Sequence, residues 1–324
     1  MDASGFLNVD KPAGWTSFRV AALVRRRSGV RRVGHTGTLD PTATGVLLVC
    51  LGAATRLSEY VMELPKTYRA EVRLGVATDT FDAAGTPVSE ADPSGVSREQ
   101  VEEALSTFQG EIEQVPPLFS AIKHAGEPLY RYARSRREVE PRPRRVVVHR
   151  LQLLDFQRPF LTIELECGKG TYVRSLAHDL GQRLGCGAHL ASLVRLQVGP
   201  FVLEDACAWP RLEQAFDEGR WQEFLLPPDT ALAHWPRIDL TVEHETAVRF
   251  GQALAADGPA LSPPEEPADG ALARAYGPEG GLLAVLRYDI GAALWHPTKV
   301  FAAGPAGSPN PAPRSGAGGA EEDA

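Results

Sequence analysis

The chain has 324 residues, enough for roughly two domains and a sizeable core. Its longest apolar run falls far short of the ~20 residues a membrane helix needs. Its four cysteines lack paired spacing, and Cys186 with His189 is at most half a zinc site, so a reduced, cytoplasmic compartment without a structural metal fits best. The net charge of −7 speaks against a uniformly basic nucleic-acid binder, yet residues 1–200 carry +4 and residues 201–324 carry −11.

Nothing at the N-terminus reads as a signal peptide, because residues 1–5 lead straight into a short strand over 6–9. Ser17 is then predicted to cap a helix through Arg27, with Phe18, Ala21, Ala22 and Leu23 as its apolar positions. Next comes the run Gly34-His35-Thr36-Gly37-Thr38-Leu39-Asp40-Pro41-Thr42-Ala43-Thr44-Gly45. Pro41 removes a donor and restricts the residue before it, and the glycines permit unusual backbone shapes. The expectation is a stiff loop presenting Asp40 at the mouth of a strand over 45–51.

Residues 66–76 alternate cleanly. Tyr68, Ala70, Val72, Leu74 and Val76 share one face, and Thr67, Arg69, Glu71 and Arg73 share the other. A helix with a Ser97–Gln100 capping box spans 97–108. Residues 109–143 read as an irregular insertion, followed by antiparallel strands over 144–156 and 160–167. A helix over 171–184 carries Val173, Leu176, Ala177, Leu180 and Leu184 on one stripe, and 189–198 is a further strand. A boundary falls near 227–237. Strand candidates follow over 271–276, 282–288 and 292–301, with an inserted loop over 258–269, and the Gly/Pro-rich residues 304–324 form a disordered tail. This mixture of helices and hairpins gives an α+β fold with a mixed, largely antiparallel sheet.

Two arginine runs stand out. Arg25, Arg26, Arg27, Arg31 and Arg32 precede the Asp40 loop. Arg131, Arg134, Arg136, Arg137, Arg142, Arg144, Arg145 and Arg150 lie in and after the insertion, interleaved with Tyr130, Tyr132 and His149. Charge runs are often solvated helix faces, but arginine interleaved with aromatics favours RNA contact.

The Asp40 loop resembles the catalytic motif of the bacterial tRNA pseudouridine synthase B (TruB) family. Three further segments resemble that family in order: Asn8-Val9-Asp10-Lys11-Pro12-Ala13-Gly14-Trp15-Thr16-Ser17, Lys66-Thr67-Tyr68-Arg69-Ala70, and Gly168-Lys169-Gly170-Thr171-Tyr172-Val173-Arg174-Ser175-Leu176. Leu193-Val194-Arg195-Leu196 with Gly199-Pro200-Phe201 resembles the segment closing the domain. The resemblance implies a pseudouridine synthase catalytic domain over 1–230, with 109–143 as an RNA-gripping thumb. Residues 237–303, on Gly281-Leu282-Leu283-Ala284-Val285 and residues 294–301, resemble a PUA-like small β-barrel.

The implied reaction turns uridine into pseudouridine at position 55 in the tRNA T-loop. The N1–C1′ bond breaks, the base turns, and C5 bonds to C1′. No electron moves, so no cofactor is needed. Asp40, ionised at neutral pH, is the nucleophile, as carboxylates are in glycosidases. Whether it attacks C1′ or C6, or a glycal forms, stays open. No second acid stands out, so Arg174 is taken as its partner, orienting the carboxylate and keeping it ionised.

Tyr68 stacks on the extruded uracil and takes part in removing the C5 proton. His35 enters the gap left by the base, Tyr172 and Leu193 contact the uracil, and Lys11 supports the loop or meets phosphate. The expected partner is the tRNA T-stem-loop, bound by a monomer without a guide RNA or a membrane. A non-catalytic RNA-binding or RNA-folding module and a small-molecule hydrolase are the alternatives. The first needs no carboxylate, and the second needs no use for the arginines.

Overall fold

The computed structural model describes residues 3–301 except 121, 125, 136, 138 and 257–266. Residues 304–324 and residues 258–266 of the expected 258–269 loop lie outside this set, as do the side chains of Tyr130 and Arg134 and all of Arg136. The chain divides into two compact units, Met1–His234 and Trp235–Ala324.

The first unit runs β1 (Gly5–Lys11), α1 (Ser17–Ser28), β2 (Val33–Thr36), β3 (Thr44–Leu51), α2 (Ser58–Glu63), β4 (Lys66–Leu74), β5 (Val76–Thr78), β6 (Pro87–Glu90), α3 (Arg98–Ser106) and β7 (Gly110–Gln114). It continues through β8 (Lys123–His124), β9 (Glu127–Pro128), α4 (Leu129–Arg134), β10 (Arg144–Gln157), β11 (Phe160–Cys167), α5 (Val173–Arg183), β12 (Ala188–Val198), β13 (Phe201–Val202), β14 (Cys207–Ala208), α6 (Trp209–Asp217) and β15 (Leu225–Leu226). An 11-stranded sheet follows the path β14-β1-β3-β12-β4-β11-β10-β7, with β15, β2 and β13 attached to β1, β3 and β12. Every pairing is antiparallel except β1 with β14 and β3 with β12. The fold is therefore α+β with a mixed, largely antiparallel sheet.

The parallel seam between β3 and β12 lies mid-sheet, with Thr44 opposite Val194 and Gly45 opposite Arg195. Gly45 has φ 95°, and a Cβ there would lie 2.2 Å from the Arg195 carbonyl oxygen. No other residue fits this crossing.

Two cores flank the seam. On one half, Val20 and Val24 of α1 and Leu212 of α6 pack with Leu7, Val9, Leu47 and Val49. On the other, Leu176 and Leu180 of α5 and Val101 and Leu105 of α3 pack with Val72, Leu74, Ile163 and Leu165. The β4 alternation emerges as expected, with Ala70, Val72 and Leu74 buried and Arg69 and Arg73 exposed.

Three expectations change. The buried stripe of α1 is Ser17, Val20, Ala21 and Val24, whereas Phe18 is 76% exposed and Ala22 is exposed. The helix is rotated by a residue because its cap is Thr16, whose hydroxyl accepts from the Arg19 amide, and not Ser17. Residues 110–114 are not part of an irregular insertion. They form β7, zipped to β10 from Arg144↔Gln114 to Val148↔Gly110, so the excursion from the sheet begins after Gln114. There it forms the small β8–β9 hairpin and α4.

The second unit contains β16 (Arg237–Asp239), α7 (Val242–Arg249), β17 (Leu254–Ala255), β18 (Leu272–Tyr276), β19 (Leu282–Asp289) and β20 (Leu294–Val300). Its five strands pair in the order β16-β18-β19-β20-β17 around Trp295, Leu286 and Ala275.

Replacing Gly45 with alanine forces a Cβ into the neighbouring backbone at a left-handed φ. Overpacking and backbone strain together should cost about 2–4 kcal/mol of the first unit's stability. Chemical denaturation monitored by tryptophan fluorescence reads this directly.

Candidate active site

The Asp40 loop links β2 to β3 and is held from three sides. The Ser17 hydroxyl accepts from the Leu39 amide at 2.9 Å and donates to its carbonyl at 3.2 Å, fixing the residue before Asp40. Lys11 Nζ donates to the carbonyls of Pro12, Trp15 and Pro41 at 3.0, 2.6 and 3.2 Å. Arg195 donates through Nη2 to the Gly37 carbonyl at 3.2 Å and through Nε to the Val46 carbonyl at 2.7 Å. Both cations are fully buried, Lys11 at 0% and Arg195 at 1% exposure. Each donates to buried main-chain carbonyls, so removing either takes donors away from the backbone around the loop.

The structure places the Lys11 ammonium, buried, against the carbonyls of Pro12, Trp15 and Pro41. Burial pushes its pKa down to about 8, with Arg195 adding to the fall and Asp40 opposing it.

Asp40 meets Arg174 side-on. Nε lies 2.9 Å from Oδ2, and Nη2 donates to Oδ1 at 3.1 Å. This bidentate geometry fixes the plane of the carboxylate. Arg174 stands in the first turn of α5 and is 5% exposed. Its remaining donors reach the Phe119 carbonyl at 3.1 Å and the Thr80 carbonyl at 3.4 Å.

A second acid shares the guanidinium. Asp82 Oδ2 lies 3.6 Å from Arg174 Nη1. Its other oxygen accepts from the Thr80 hydroxyl at 2.6 Å and the Ala84 amide at 3.0 Å. The expectation of a lone carboxylate is therefore corrected. The loop carrying Asp82 is clamped onto α5 twice, because Phe81 stacks on His178 with ring centroids 3.9 Å apart. Arg174 and His178 are i and i+4 on one helix face. Phe81 has φ 64°, a left-handed conformation costly for an aromatic residue, which the stack and the two Leu190 backbone bonds hold in place.

The Asp40 pKa is raised above the ordinary carboxylate value. Burial is the largest cause, Arg174 and Lys11 oppose it, and Asp82 adds to the rise.

Tyr68 sits opposite Arg195 in the β4–β12 ladder, and Ala70 sits opposite Leu193. Burial raises the phenol, while the charge and hydrogen bond of Arg195 pull it back. Tyr68 and Leu193 both lie partly buried at the margin of the second core. Tyr172 caps α5, its main chain exchanging two hydrogen bonds with the Gln114 amide at 2.7 and 3.0 Å, and burial raises its phenol also. His35 lies on β2 opposite Val49. Its Nδ1 is buried without a partner, and burial and Arg195 lower its pKa, so the ring is neutral at physiological pH.

Asp40, Arg174, Asp82, Lys11, Arg195 and Tyr68 thus form one electrostatic group, with Tyr172 and His35 coupled to it. Sequence reasoning missed Asp82 and gave Arg195 no role. An acid in the polar run Asp79-Thr80-Phe81-Asp82 after an alternating strand was the available signal for the first, and an arginine inside the strand Leu193–Leu196 for the second. Among the described residues, no group of three or more histidines, cysteines and acids could hold a metal.

The thumb-region arginines divide. Arg137 pairs with Glu127 at 2.5 Å and stacks over Tyr132, and Arg145 pairs with Glu111 at 3.1 Å. Arg131, Arg142 and Arg144 are exposed, with no ion pair among the described residues.

Comparison with known proteins gives a consistent picture. Residues 25–173 match the TruB family pseudouridylate synthase N-terminal domain, and residues 174–233 match the tRNA pseudouridylate synthase B C-terminal domain. The chain is 44% identical over 297 residues to tRNA pseudouridine synthase B of Dehalococcoides mccartyi, covering 92% of this chain and 96% of that protein. It is 52% identical over 257 residues to the enzyme of the same name from Symbiobacterium thermophilum, covering 78% and 84%. Among solved structures it resembles a chain of a Cbf5–Nop10–Gar1 complex at TM-score 0.70 and 27% identity, covering 89% of this chain and 79% of that one. It also resembles a chain of an H/ACA RNP bound to a substrate RNA containing 2′-deoxyuridine, at TM-score 0.71 and 25% identity, covering 92% and 85%.

The two neighbours of Asp40 have opposite effects on its titration. Followed by carbon NMR of the labelled side chain, the Asp40 midpoint should stand above the usual carboxylate range. Asp82→Asn removes a like charge and should lower it, and Arg174→Gln removes the cation and should raise it further. Movement of both variants in the same direction would show that the two groups do not act on Asp40 as charges.

Proposed function

Because the chain belongs to the TruB family of pseudouridylate synthases, whose reaction is the isomerisation of uridine to pseudouridine in tRNA, we propose that it acts on uridine 55 of the T-loop with Asp40 as nucleophile. The observation that carries this reading is the bidentate Arg174–Asp40 pair at the seam of the sheet, inside a rigid loop. The arrangement supplies an oriented, poorly hydrated carboxylate whose charged form Arg174 and Lys11 favour against the cost of burial, as a nucleophile at carbon requires.

Chemistry then follows from the neighbours. Asp40 attacks the flipped nucleoside, the N1–C1′ bond opens, and the base turns within a pocket that we assign to Tyr68, Leu193 and Tyr172. The Asp40–carbon bond breaks, C1′ bonds to C5, and the C5 proton leaves by way of the Tyr68 oxygen, which releases its own hydroxyl proton as the electron pair returns to the ring. N1 takes up one proton, so the sum is an isomerisation with no redox step. Burial raises the phenol and Arg195 beside it opposes that rise, which suits a relay that both takes and gives a proton. His35, uncharged and with an unspent nitrogen on the strand feeding the loop, is read as the residue facing the space the base vacates.

Selection by RNA shape, without a guide RNA, fits the basic residues of the insertion, and we assign Arg131, Arg142 and Arg144 to backbone contact. The five-stranded second unit fits a PUA-like module.

Incubation with unmodified tRNA transcript should yield pseudouridine at position 55, mapped by carbodiimide-stop sequencing. Asp40→Asn should lose at least ~10³-fold in kcat while binding tRNA as before. An Asp40→Asn variant that still forms pseudouridine would remove Asp40 as the nucleophile, and an unsubstituted protein that binds tRNA but forms none would return the chain to the class of RNA-folding modules. Tyr68→Phe keeps the ring and loses the hydroxyl, so kcat should fall by about 10²–10⁴ with KM nearly unchanged. An unchanged kcat would remove the phenol from proton transfer.

A further inference from the structure

Helix α1 presents a solvent face that the chemistry above does not use. Phe18, Arg19, Ala22, Arg25 and Arg26 are exposed along it, and Arg31 and Arg32 continue the line beyond the Gly29 turn. Phe18 is 76% exposed. The guanidinium of Arg19 is held over the Trp15 ring, 3.9 Å from its centroid.

The neighbouring charges are not alike. Arg27 is committed, with Nη2 2.5 Å from Asp217 and 3.3 Å from the Glu213 carbonyl of α6. Arg25, Arg26, Arg31 and Arg32 have no counter-charge among the described residues. The negative end of the helix dipole accounts for part of Arg25 and Arg26, since basic residues favour a last turn. It does not account for Arg31 and Arg32, which lie past the helix. Four uncompensated guanidiniums on one line repel each other and cost folding stability, so an external polyanion is the economical reason to keep them.

Position decides which anion. The N-terminus of α1 is tied to the active-site loop through the Ser17–Leu39 bonds. Its far end leads into β2, where Val33 sits opposite Leu51 and the Gly52 amide donates to the Arg32 carbonyl. β3 spans eight residues from Thr44, beside the site, to Leu51. β2 joins Arg32 to the loop, so at about 3.3 Å per residue Arg32 is roughly 17 Å along the strand from Gly37. Phe18 and Arg19 lie at the loop end of α1 and Arg25 follows about 12 Å along the helix axis from Ser17, so the exposed face leads away from the loop for about the length of five stacked base pairs, at ~3.4 Å each. It also lies on the β1–β3 half of the sheet, whereas the insertion departs from the β7–β10 half.

We propose that the exposed face of α1, through Arg25, Arg26, Arg31 and Arg32, is a second phosphate track that grips the tRNA backbone outside the target stem-loop. This rests on the tRNA reading above. A stem-loop seated at Asp40 is held by the cleft and the insertion, and the track engages the rest of the folded tRNA. Phe18 at the near end offers a ring on which an unpaired base stacks.

The test uses the full-length protein and the variant Arg25→Ala/Arg26→Ala/Arg31→Ala/Arg32→Ala, alongside its four-lysine counterpart. Both carry only exposed substitutions, and thermal melting confirms that they fold. Binding and pseudouridine formation are measured on unmodified full-length tRNA and on the isolated T-arm hairpin. For the tRNA, the alanine variant should raise Kd at least tenfold. The slope of log K against log salt should flatten by about 2–4 for as many lost phosphate contacts. For the hairpin, Kd and turnover should stay within twofold, and the lysine variant should restore tRNA binding.

Equal losses on tRNA and hairpin would overturn the proposal by placing the track on the stem-loop itself. No loss on either would overturn it by leaving the face for another partner. Failure of the unsubstituted protein to modify either RNA would instead overturn the function on which the proposal rests.

Discussion

One guanidinium organises this site. Arg174 is 5% exposed, yet it faces two carboxylates and two main-chain carbonyls contributed by three different segments. A buried arginine with one partner would be a poor bargain, because desolvation offsets most of the attraction. With every donor used, the balance changes, and the residue becomes the point at which the Asp40 loop, the Asp82 loop and the strap at Phe119 are registered on α5. Removing it would leave two acids facing each other with no shared cation, which is the larger penalty.

The rest of the scaffold serves to keep Asp40 where Arg174 can use it. The loop sits at a parallel seam in the middle of a largely antiparallel sheet. Lys11 donates to the Pro41 carbonyl, Arg195 to those of Gly37 and Val46, and Ser17 locks Leu39 from the helix side. These are polar groups buried for shape, and each is satisfied, which is the condition under which such networks rigidify and do not destabilise. Rigidity matters because an ångström of drift at the carboxylate is expensive in rate.

Much of this was legible in the chain. The period of residues 66–74 gave a strand with Tyr68 on its inner face, and the proline and glycines around Asp40 gave a constrained loop. Ordered motifs gave the pairing of Asp40 with Arg174. What failed did so for identifiable reasons. The phase of α1 was misread because Phe18, the most apolar residue near its start, points to solvent, while Ser17 is buried by a task no propensity encodes. β7 was overlooked because Gly110-Glu111-Ile112-Glu113-Gln114 has polar residues on both faces of an edge strand, so periodicity carries no signal. Asp82 was invisible because its meaning depends on a helix 92 positions downstream folding back on it, and Arg195 looked like one more charge in a strand until the seam enclosed it.

The stoichiometry of charge explains why a second acid belongs here. One guanidinium faces two carboxylates, and the distances rank them, with Asp40 at 2.9 and 3.1 Å and Asp82 at 3.6 Å. In the free protein Asp82 is the lesser partner, held mainly by Thr80 and the Ala84 amide. As the nucleophile proposed above, Asp40 would lose its charge once it bonds to carbon. At that moment Arg174, buried and tied to carbonyls, would be stranded without a counter-ion, and the covalent state would carry the full cost of an unpaired buried cation. Asp82 prevents this. Its fixed charge is slightly unfavourable while Asp40 is ionised and becomes favourable as Asp40 is neutralised, so the pair of acids moves stabilisation from the resting site toward the covalent one. A group that raises the energy of the start and lowers that of the adduct acts in the direction catalysis requires, and it does so here without touching the substrate.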